Sequence, residues 1–175
     1  KEDKKTRYIE YLKKELNILK NHLNTSRIVT QMHFGGGTPT FFSPEQLEEV
    51  IIAVKEIFPN FASDAEVSCE VDPRYFTVEH MNVLKAGGCN RLSFGVQDLD
   101  EEVQKTIHRI QPFELTQNVI NIARDAGIHS VNTDLIYGLP HQTRESFKKT
   151  LEKMLTLNTD RFAVFNYAHV PWLMK

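Results

Sequence analysis

Glu70, Gln97 and Asp134 each stand at or near the end of an apolar run, and Arg109 follows shortly after the Gln97 end. A further such end carries Gly35-Gly36-Gly37-Thr38-Pro39-Thr40. Carboxylates accept hydrogen bonds from an ammonium or from ribose hydroxyls, and a guanidinium holds a carboxylate through two parallel bonds. Consecutive glycines let the backbone take unusual dihedrals and lie against a ligand. Pro39 stops the loop from coiling at once into helix, and the exposed N–H groups suit an anionic or zwitterionic ligand. On one rim these groups suit a ligand that bears both an α-amino acid and a ribose. The loop is not a P-loop, because no Gly-Lys-Ser/Thr follows, and it is not the dinucleotide Gly-x-Gly-x-x-Gly. Alone it reads equally well as a tight strand-to-helix turn.

Each residue also has a plainer structural role open to it. Glu70 can pair with Arg91, Asp134 can cap a neighbouring element, Gln97-Asp98 can start the next helix, and Arg109 can be a solvated helix end. Cys69 falls on the apolar face of its run and reads as a small core residue, and Cys89, after two glycines, as structural. Two cysteines and seven histidines without ligand spacing give no legible zinc or iron site. His33 and His169 lie near strand ends and could face a ligand, although a satisfied core histidine is the simpler expectation.

The elements that must position these side chains follow from periodicity. Tyr8, Ile9, Leu12, Leu16, Leu19 and Leu23 are spaced as the buried stripe of a first amphipathic helix, with the Lys1–Lys5 charge run as its solvated start. Ile28–Phe34 reads as a strand. Ser43 then caps a helix with Pro44 at its first position and Gln46 completing a capping box, burying Leu47, Val50, Ile51, Val54 and Phe58. Strand Ala65–Val71 ends at Asp72-Pro73, and a helix opened by Thr77 closes at Gly87-Gly88. Next come strand Arg91–Gln97, a short helix near Asp100–Ile107, helix Thr116–Ala126 and strand Ser130–Tyr137. Helix Thr143–Leu157, with Phe147, Leu151, Met154 and Leu155 inside, and strand Arg161–Ala168 complete the chain.

Strands alternating with helices through short connections are parallel strands joined by right-handed crossovers. Side-chain parity then separates a barrel from a doubly wound sheet. Val67, Cys69 and Val71 oppose Glu66, Ser68, Glu70 and Asp72. Leu92, Phe94 and Val96 oppose Arg91, Ser93, Gly95 and Gln97; Val131, Leu135 and Tyr137 oppose Ser130, Asn132 and Asp134. Inner strands of a doubly wound sheet are apolar on both faces, whereas a recurrent polar face needs a wet lumen with helices outside. An ordinary closed barrel fills that lumen with apolar layers. The expected fold class is therefore α/β, a partial (incomplete) β/α barrel.

The 175 residues, 41% of them hydrophobic, suffice for one ordinary core. A net charge of −2 gives no general footprint for nucleic acid. No run reaches the length of a membrane span, and two unpaired cysteines suit a reducing, cytoplasmic setting. The start at Lys1, inside a charged helical pattern, reads as a cut piece of something longer.

Taken together, the glycine loop, Glu70-Val71-Asp72-Pro73-Arg74, Asn90 to Asp98, Asp134-Leu135-Ile136-Tyr137-Gly138-Leu139-Pro140 and Phe165-Asn166-Tyr167-Ala168-His169-Val170-Pro171 resemble the oxygen-independent coproporphyrinogen III oxidases, radical S-adenosylmethionine enzymes. The resemblance spans essentially the whole chain. It implies a barrel of the radical S-adenosylmethionine type, with Gly36, Gly37 and Thr38 at the methionine part of the cosubstrate. It further implies polar contacts from Glu70, Gln97, Arg109 and Asp134, with Ala168 beside the adenine. In that family a [4Fe–4S] cluster reduces S-adenosylmethionine, and the resulting radical starts the decarboxylation of two propionates of coproporphyrinogen III, giving protoporphyrinogen IX. The resemblance implies an electron donor as partner, and neither nucleic acid nor membrane; a monomer is expected. The family's cluster cysteines, Cys-x-x-x-Cys-x-x-Cys, are expected upstream of Lys1, and an accessory C-terminal part beyond Lys175. Residues 1–175 are then a core fragment with no cluster ligand and no catalytic residue of its own. The related haem-chaperone branch, which tends to carry Glu-Ala-Asn-Pro and Gly-Val-Gln-Ser where this chain has Glu70-Val71-Asp72-Pro73 and Gly95-Val96-Gln97-Asp98, is the nearest alternative. A scaffold that has lost the chemistry is another, and a barrel acting on a phosphorylated metabolite is disfavoured by the lumen carboxylates.

Overall fold

The computed structural model describes residues 2–170; Lys1, and Pro171 of the last motif, lie outside them. The strands are β1 (Val29–Phe34), β2 (Phe61–Val71), β3 (Arg91–Gln97), β4 (Ser130–Tyr137) and β5 (Arg161–Asn166), all parallel and paired in sequence order. Between and before them run α1 (Glu2–Lys20), α2 (Pro44–Ile57), α3 (Val78–Ala86), α4 (Glu101–Thr106), α5 (Phe113–Asp125) and α6 (Arg144–Met154). Sequential order with a crossover helix between neighbours is how a barrel grows, and the sheet is a curled half-barrel.

The parity argument decides where the core sits. In β3, Leu92, Phe94 and Val96 are buried while Arg91, Ser93, Gly95 and Gln97 are half-buried. In register with them are Cys69 and Val71 of β2 and Val131 of β4. Against this apolar face pack Leu47 and Ile51 of α2, Met81 and Leu84 of α3, Val119, Ile120 and Ala123 of α5, and Met154 of α6. Each large side chain so enclosed contributes about 1.5–3 kcal/mol. With the helices on that face, the opposite, polar face is left for a ligand.

Caps fix where the helices begin, and hence how long each strand-end loop is. Ser43 Oγ accepts from Gln46 N at 3.3 Å while Gln46 Oε1 accepts from Ser43 N at 3.1 Å, the expected capping box. Ser43→Ala should lower stability by about 1 kcal/mol. Urea unfolding checks this, and an unchanged midpoint would mean that the cap adds nothing.

Several boundaries and burials differ from expectation. β2 begins at Phe61 rather than Ala65, because Phe61 pairs with Val29 across an irregular step before Gln31, so polar Ser63 and Asp64 sit within the strand. α5 begins at Phe113, three residues before Thr116, directly behind Pro112. α6 stops at Met154, and Leu155 is 72% exposed rather than inside. The stripe of α1 is half right: Ile9 and Leu16 are buried, Leu16 against Ala53 and Ile57 of α2, but Tyr8, Leu19 and Leu23 are exposed, Tyr8 with its ring 6.0 Å from that of Phe42. Tyr137, assigned to the apolar face, is half exposed at the open end of β4. β5 ends at Asn166, and its Phe162, Val164 and Phe165 are exposed on this edge strand.

Candidate functional site

At the C-terminal ends of β2, β3 and β4 a cavity of about 130 Å³ opens beside the glycine loop. Gly37, Thr38, Glu70, Gln97, Arg109 and Asp134 all line it, together with Asp72 and Ser93. Pockets that enclose a drug-sized ligand measure about 300–1,000 Å³. This one has room for a polar end group only, and the rest of a larger ligand would lie open along the rim.

The glycine loop does two separate things here. Gly36 and Gly37 have φ of +76° and +114°, a region that L side chains rarely adopt, and the space around them is open. At Gly35 space is the constraint: an added Cβ would lie 2.5 Å from His33 Nε2 and 3.0 Å from Glu70 Oε1. Gly36 N donates to Glu70 Oε2 at 3.2 Å, which ties the loop to β2. Glu70 is not paired with Arg91. That guanidinium reaches Glu66, two lumen-facing positions earlier, at 3.0 Å. The side chain of Glu70 stays half-exposed toward the cavity.

Gln97 owes its direction to a strained backbone. Its φ is +69°, and Asp98 N donates to Val96 O at 2.9 Å across it, a γ-turn at the strand end. Such a conformation costs about 1–3 kcal/mol and persists only where its surroundings impose it. The fully buried carboxylate of Asp98 does so: it accepts from Asp100 N at 2.8 Å, from Thr150 Oγ1 at 2.6 Å and from Gln142 Nε2. Asp98 is thus structural, as the plainer reading allowed, while Gln97 faces the cavity.

Asp134 accepts from Ser93 Oγ at 3.1 Å and from Asn132 Nδ2 at 2.8 Å, and it caps no neighbouring element. Burial pushes its carboxyl above the usual carboxylate range, with Glu70 adding to the push and the bonds from Ser93 and Asn132 opposing it. A cation seated there relieves that cost.

Arg109 is no solvated helix end. Its Nη1 lies 2.9 Å from Asp72 Oδ2, and Nη2 donates to Gly95 O at 2.7 Å. Its Nε is buried without a hydrogen-bond partner. Burial pulls this guanidinium below its ordinary range, with neighbouring Arg74 acting the same way and Asp72 opposing both. Asp72 also binds Arg74, at 2.7 Å and 3.0 Å. The bidentate grip anticipated for a ligand carboxylate is therefore partly taken by Asp72 and Gly95.

Ala168 is exposed beyond the end of β5 and does not line this cavity. His33 and His169 are not core histidines. The His33 side chain is 55% exposed and bonded to Ser68, and His169 is exposed with its ring 6.1 Å from that of Tyr167. Sequence reasoning placed Asp72 with Glu70 at a strand end but not among the ligand contacts, and did not select Ser93, although both share the lumen parity of Glu70 and Gln97. Cys69 and Cys89 are buried and free, as expected.

Electrostatically the site has two walls. Glu70 and Asp134 present acceptors without a cationic side chain of strong geometry, and Asp72 is consumed by two arginines, so one side draws a cation and the other, near Arg109, an anion. A cationic zwitterion with hydroxyl groups matches that pattern, and the open-space glycines leave room for it. Among the described residues no group of His, Cys, Asp and Glu could hold a metal ion, so these residues do not fit an iron–sulfur cluster.

The family model described as the radical SAM superfamily matches residues 2–154. An oxygen-independent coproporphyrinogen III oxidase of Helicobacter pylori strain J99 is 65% identical over 99% of this chain and 38% of its own length. The anaerobic coproporphyrinogen III oxidase 1 of Cereibacter sphaeroides is 46% identical over 96% of this chain and 37% of its own length. Among solved structures, the Escherichia coli coproporphyrinogen III oxidase described as a radical SAM enzyme superposes with a TM-score of 0.91 at 44% identity, over 97% of this chain and 39% of that one. Elp3 of Methanocaldococcus infernus, at 19% identity and a TM-score of 0.65 over 81% of this chain and 37% of that one, shares the fold alone. The chain thus spans well under half the length of the curated relatives it matches.

Proposed function

Because this chain belongs to the radical SAM superfamily, we propose that its strand-end cavity seats S-adenosylmethionine in a protein that converts coproporphyrinogen III to protoporphyrinogen IX without oxygen. The superfamily uses S-adenosylmethionine and a [4Fe–4S] cluster. The observation that carries the reading is the convergence of Gly37, Thr38, Glu70, Gln97, Arg109 and Asp134 on one cavity in a chain 65% identical to a curated oxidase of that name.

In this reading Glu70 and the Gly36–Thr38 backbone receive the amino-acid end, with the carboxylate of Glu70 accepting from the ammonium. Asp134 and Gln97 accept from ribose hydroxyls, and Arg109, whose side chain lines the cavity, attracts the ligand carboxylate. Gly36 and Gly37 keep the approach clear, and Ala168 would border the adenine. The remainder of the relatives' length would supply the cluster's cysteines and the enclosure of the porphyrinogen, along with the meeting point for an electron donor. No helix of the described residues is long and apolar enough to cross a membrane; a monomer working in the cytoplasm fits the proposal. Of the three positions at which the haem-chaperone branch differs, Val71, Asp72 and Asp98, the last two are buried carboxylates with specific partners here, which supports the oxidase reading.

Glu70→Gln in the full-length protein should leave folding intact and weaken S-adenosylmethionine binding by about 1.5–3 kcal/mol, the worth of a hydrogen bond to a charged group. Titration calorimetry is the test, and equal affinity for variant and wild type would remove Glu70 from the ligand.

A further inference from the structure

We propose that His33 is a positioning residue: it holds the Glu70 carboxylate against the glycine loop in the orientation that receives the ligand's ammonium. The inference rests on the S-adenosylmethionine reading of the cavity and adds to it a residue that does not touch the ligand's polar end itself.

His33 lies at the C-terminal end of β1 and is paired in register with Ser68 of β2. Its Nδ1 is 2.8 Å from Ser68 Oγ, and its Nε2 faces Glu70 Oε1 at 3.4 Å. The Nε2–Oε1 approach is an ion-pair distance and not a formed hydrogen bond; a proton on Nε2, with Ser68 donating to Nδ1, is the tautomer in which the ring attracts the ionised Glu70 carboxylate. Glu70 is held from both sides, with Oε1 facing His33 and Oε2 accepting from Gly36 N at 3.2 Å.

The backbone beneath supplies an independent observation. A Cβ at Gly35 would stand 2.5 Å from His33 Nε2 and 3.0 Å from both Cδ and Oε1 of Glu70. The imidazole and the carboxylate therefore meet directly over the Gly35 α-carbon, and glycine at that position is what lets them meet. The other face of His33 borders a larger apolar recess with Tyr8, Phe34, Phe41 and Phe42. His33 lines that recess while Glu70 lines the polar cavity, so the ring meets the carboxylate from the recess side. A flexible carboxylate on an open rim would otherwise sample several rotamers, and holding it in one lessens what the ligand must order.

The test uses the full-length protein carrying His33→Ala, His33→Asn and His33→Gln. Asparagine keeps a polar atom near Ser68 but falls short of Glu70, whereas glutamine carries its amide to about the place of Nε2. Binding is titrated with S-adenosylmethionine and, on the same samples, with 5′-methylthioadenosine, which lacks the amino-acid end. Alanine and asparagine should weaken S-adenosylmethionine about five- to tenfold, glutamine should recover most of that loss, and 5′-methylthioadenosine should bind all four proteins alike. A misfolded variant would lose both ligands together, so the second ligand also reports on the fold. Equal S-adenosylmethionine affinity in all variants, failure of glutamine to recover it, or parallel loss of both ligands overturns the inference while leaving the proposed function standing. Wild-type protein that binds no S-adenosylmethionine overturns both.

Discussion

Asp72→Ala should destabilise the protein by about 3–5 kcal/mol, the cost of breaking a buried ion pair from one side. Asp72 is 5% exposed and binds Arg74 Nη2 at 2.7 Å and Arg109 Nη1 at 2.9 Å. It also accepts from Arg74 N at 3.0 Å, capping the short turn Pro73–Tyr75. Removing it leaves two guanidinium groups near one another without their shared anion, one of them already short of a partner at Nε. Chemical denaturation at neutral pH gives the measurement, and a loss below 1 kcal/mol would show that solvent takes over the arginines. The pH dependence has a definite sign. Burial alone would raise the Asp72 carboxyl, but the bonds from Arg74 and the charge of Arg109 outweigh it and hold the group below the usual carboxylate range. A depressed acid contributes stability that is complete above its unfolded value, about 3.9, and is lost as pH falls through the folded one. The gap between wild type and Asp72→Ala should thus be constant from pH 7 to about pH 5 and narrow below about pH 4.

How much of this was readable beforehand depended on the kind of signal. β3 and β4 fall on their expected bounds because strict alternation, Leu92-Phe94-Val96 against Arg91-Ser93-Gly95, needs no tertiary knowledge. The capping boundary at Ser43 was legible for the same local reason. On α1 and α6 the expected buried stripes include residues that are exposed, since periodicity states which residues share a face and not whether anything covers that face. At the site, parity carried Glu70 and Asp134. It left Glu70 with Arg91 as a possible partner, because two residues along a strand project the same way and only distance tells that Arg91 takes Glu66 instead. The turn at Gln97 was not legible at all. Its positive φ is imposed by Asp98 bonding to Thr150, more than fifty positions away in the chain. His33 was misjudged because its strand was read as an apolar run, and the side to which the ring turns is set by Ser68 on the next strand.

The polypeptide of residues 1–175 alone should neither take up a [4Fe–4S] cluster nor cleave S-adenosylmethionine. Cluster irons are held by thiolates, and this sequence has two cysteines. Cys69 is fully buried in the apolar core, its Sγ against the Glu70 carbonyl at 3.3 Å, and burial pushes its thiol far above the ordinary range. Cys89 is 2% exposed, and burial pushes its thiol up to about 11. Neither forms a thiolate near neutral pH, and Cys69 projects from β2 to the side opposite Glu70, away from the cavity. Binding and cleavage are therefore separable. The cavity residues are all present in this polypeptide, so weak S-adenosylmethionine binding should persist and should fall further on Glu70→Gln, whereas no electron can be delivered to the sulfonium. Anaerobic reconstitution with iron and sulfide, read by the broad iron–sulfur absorbance, tests the first part. Chromatography for 5′-deoxyadenosine under reducing conditions tests the second. A stoichiometric cluster with cleavage in these 175 residues would require a ligand set that the buried cysteines cannot provide, and would overturn the separation of cradle from cluster. Recovery of both properties only when the polypeptide is extended by cysteine-bearing sequence would support it.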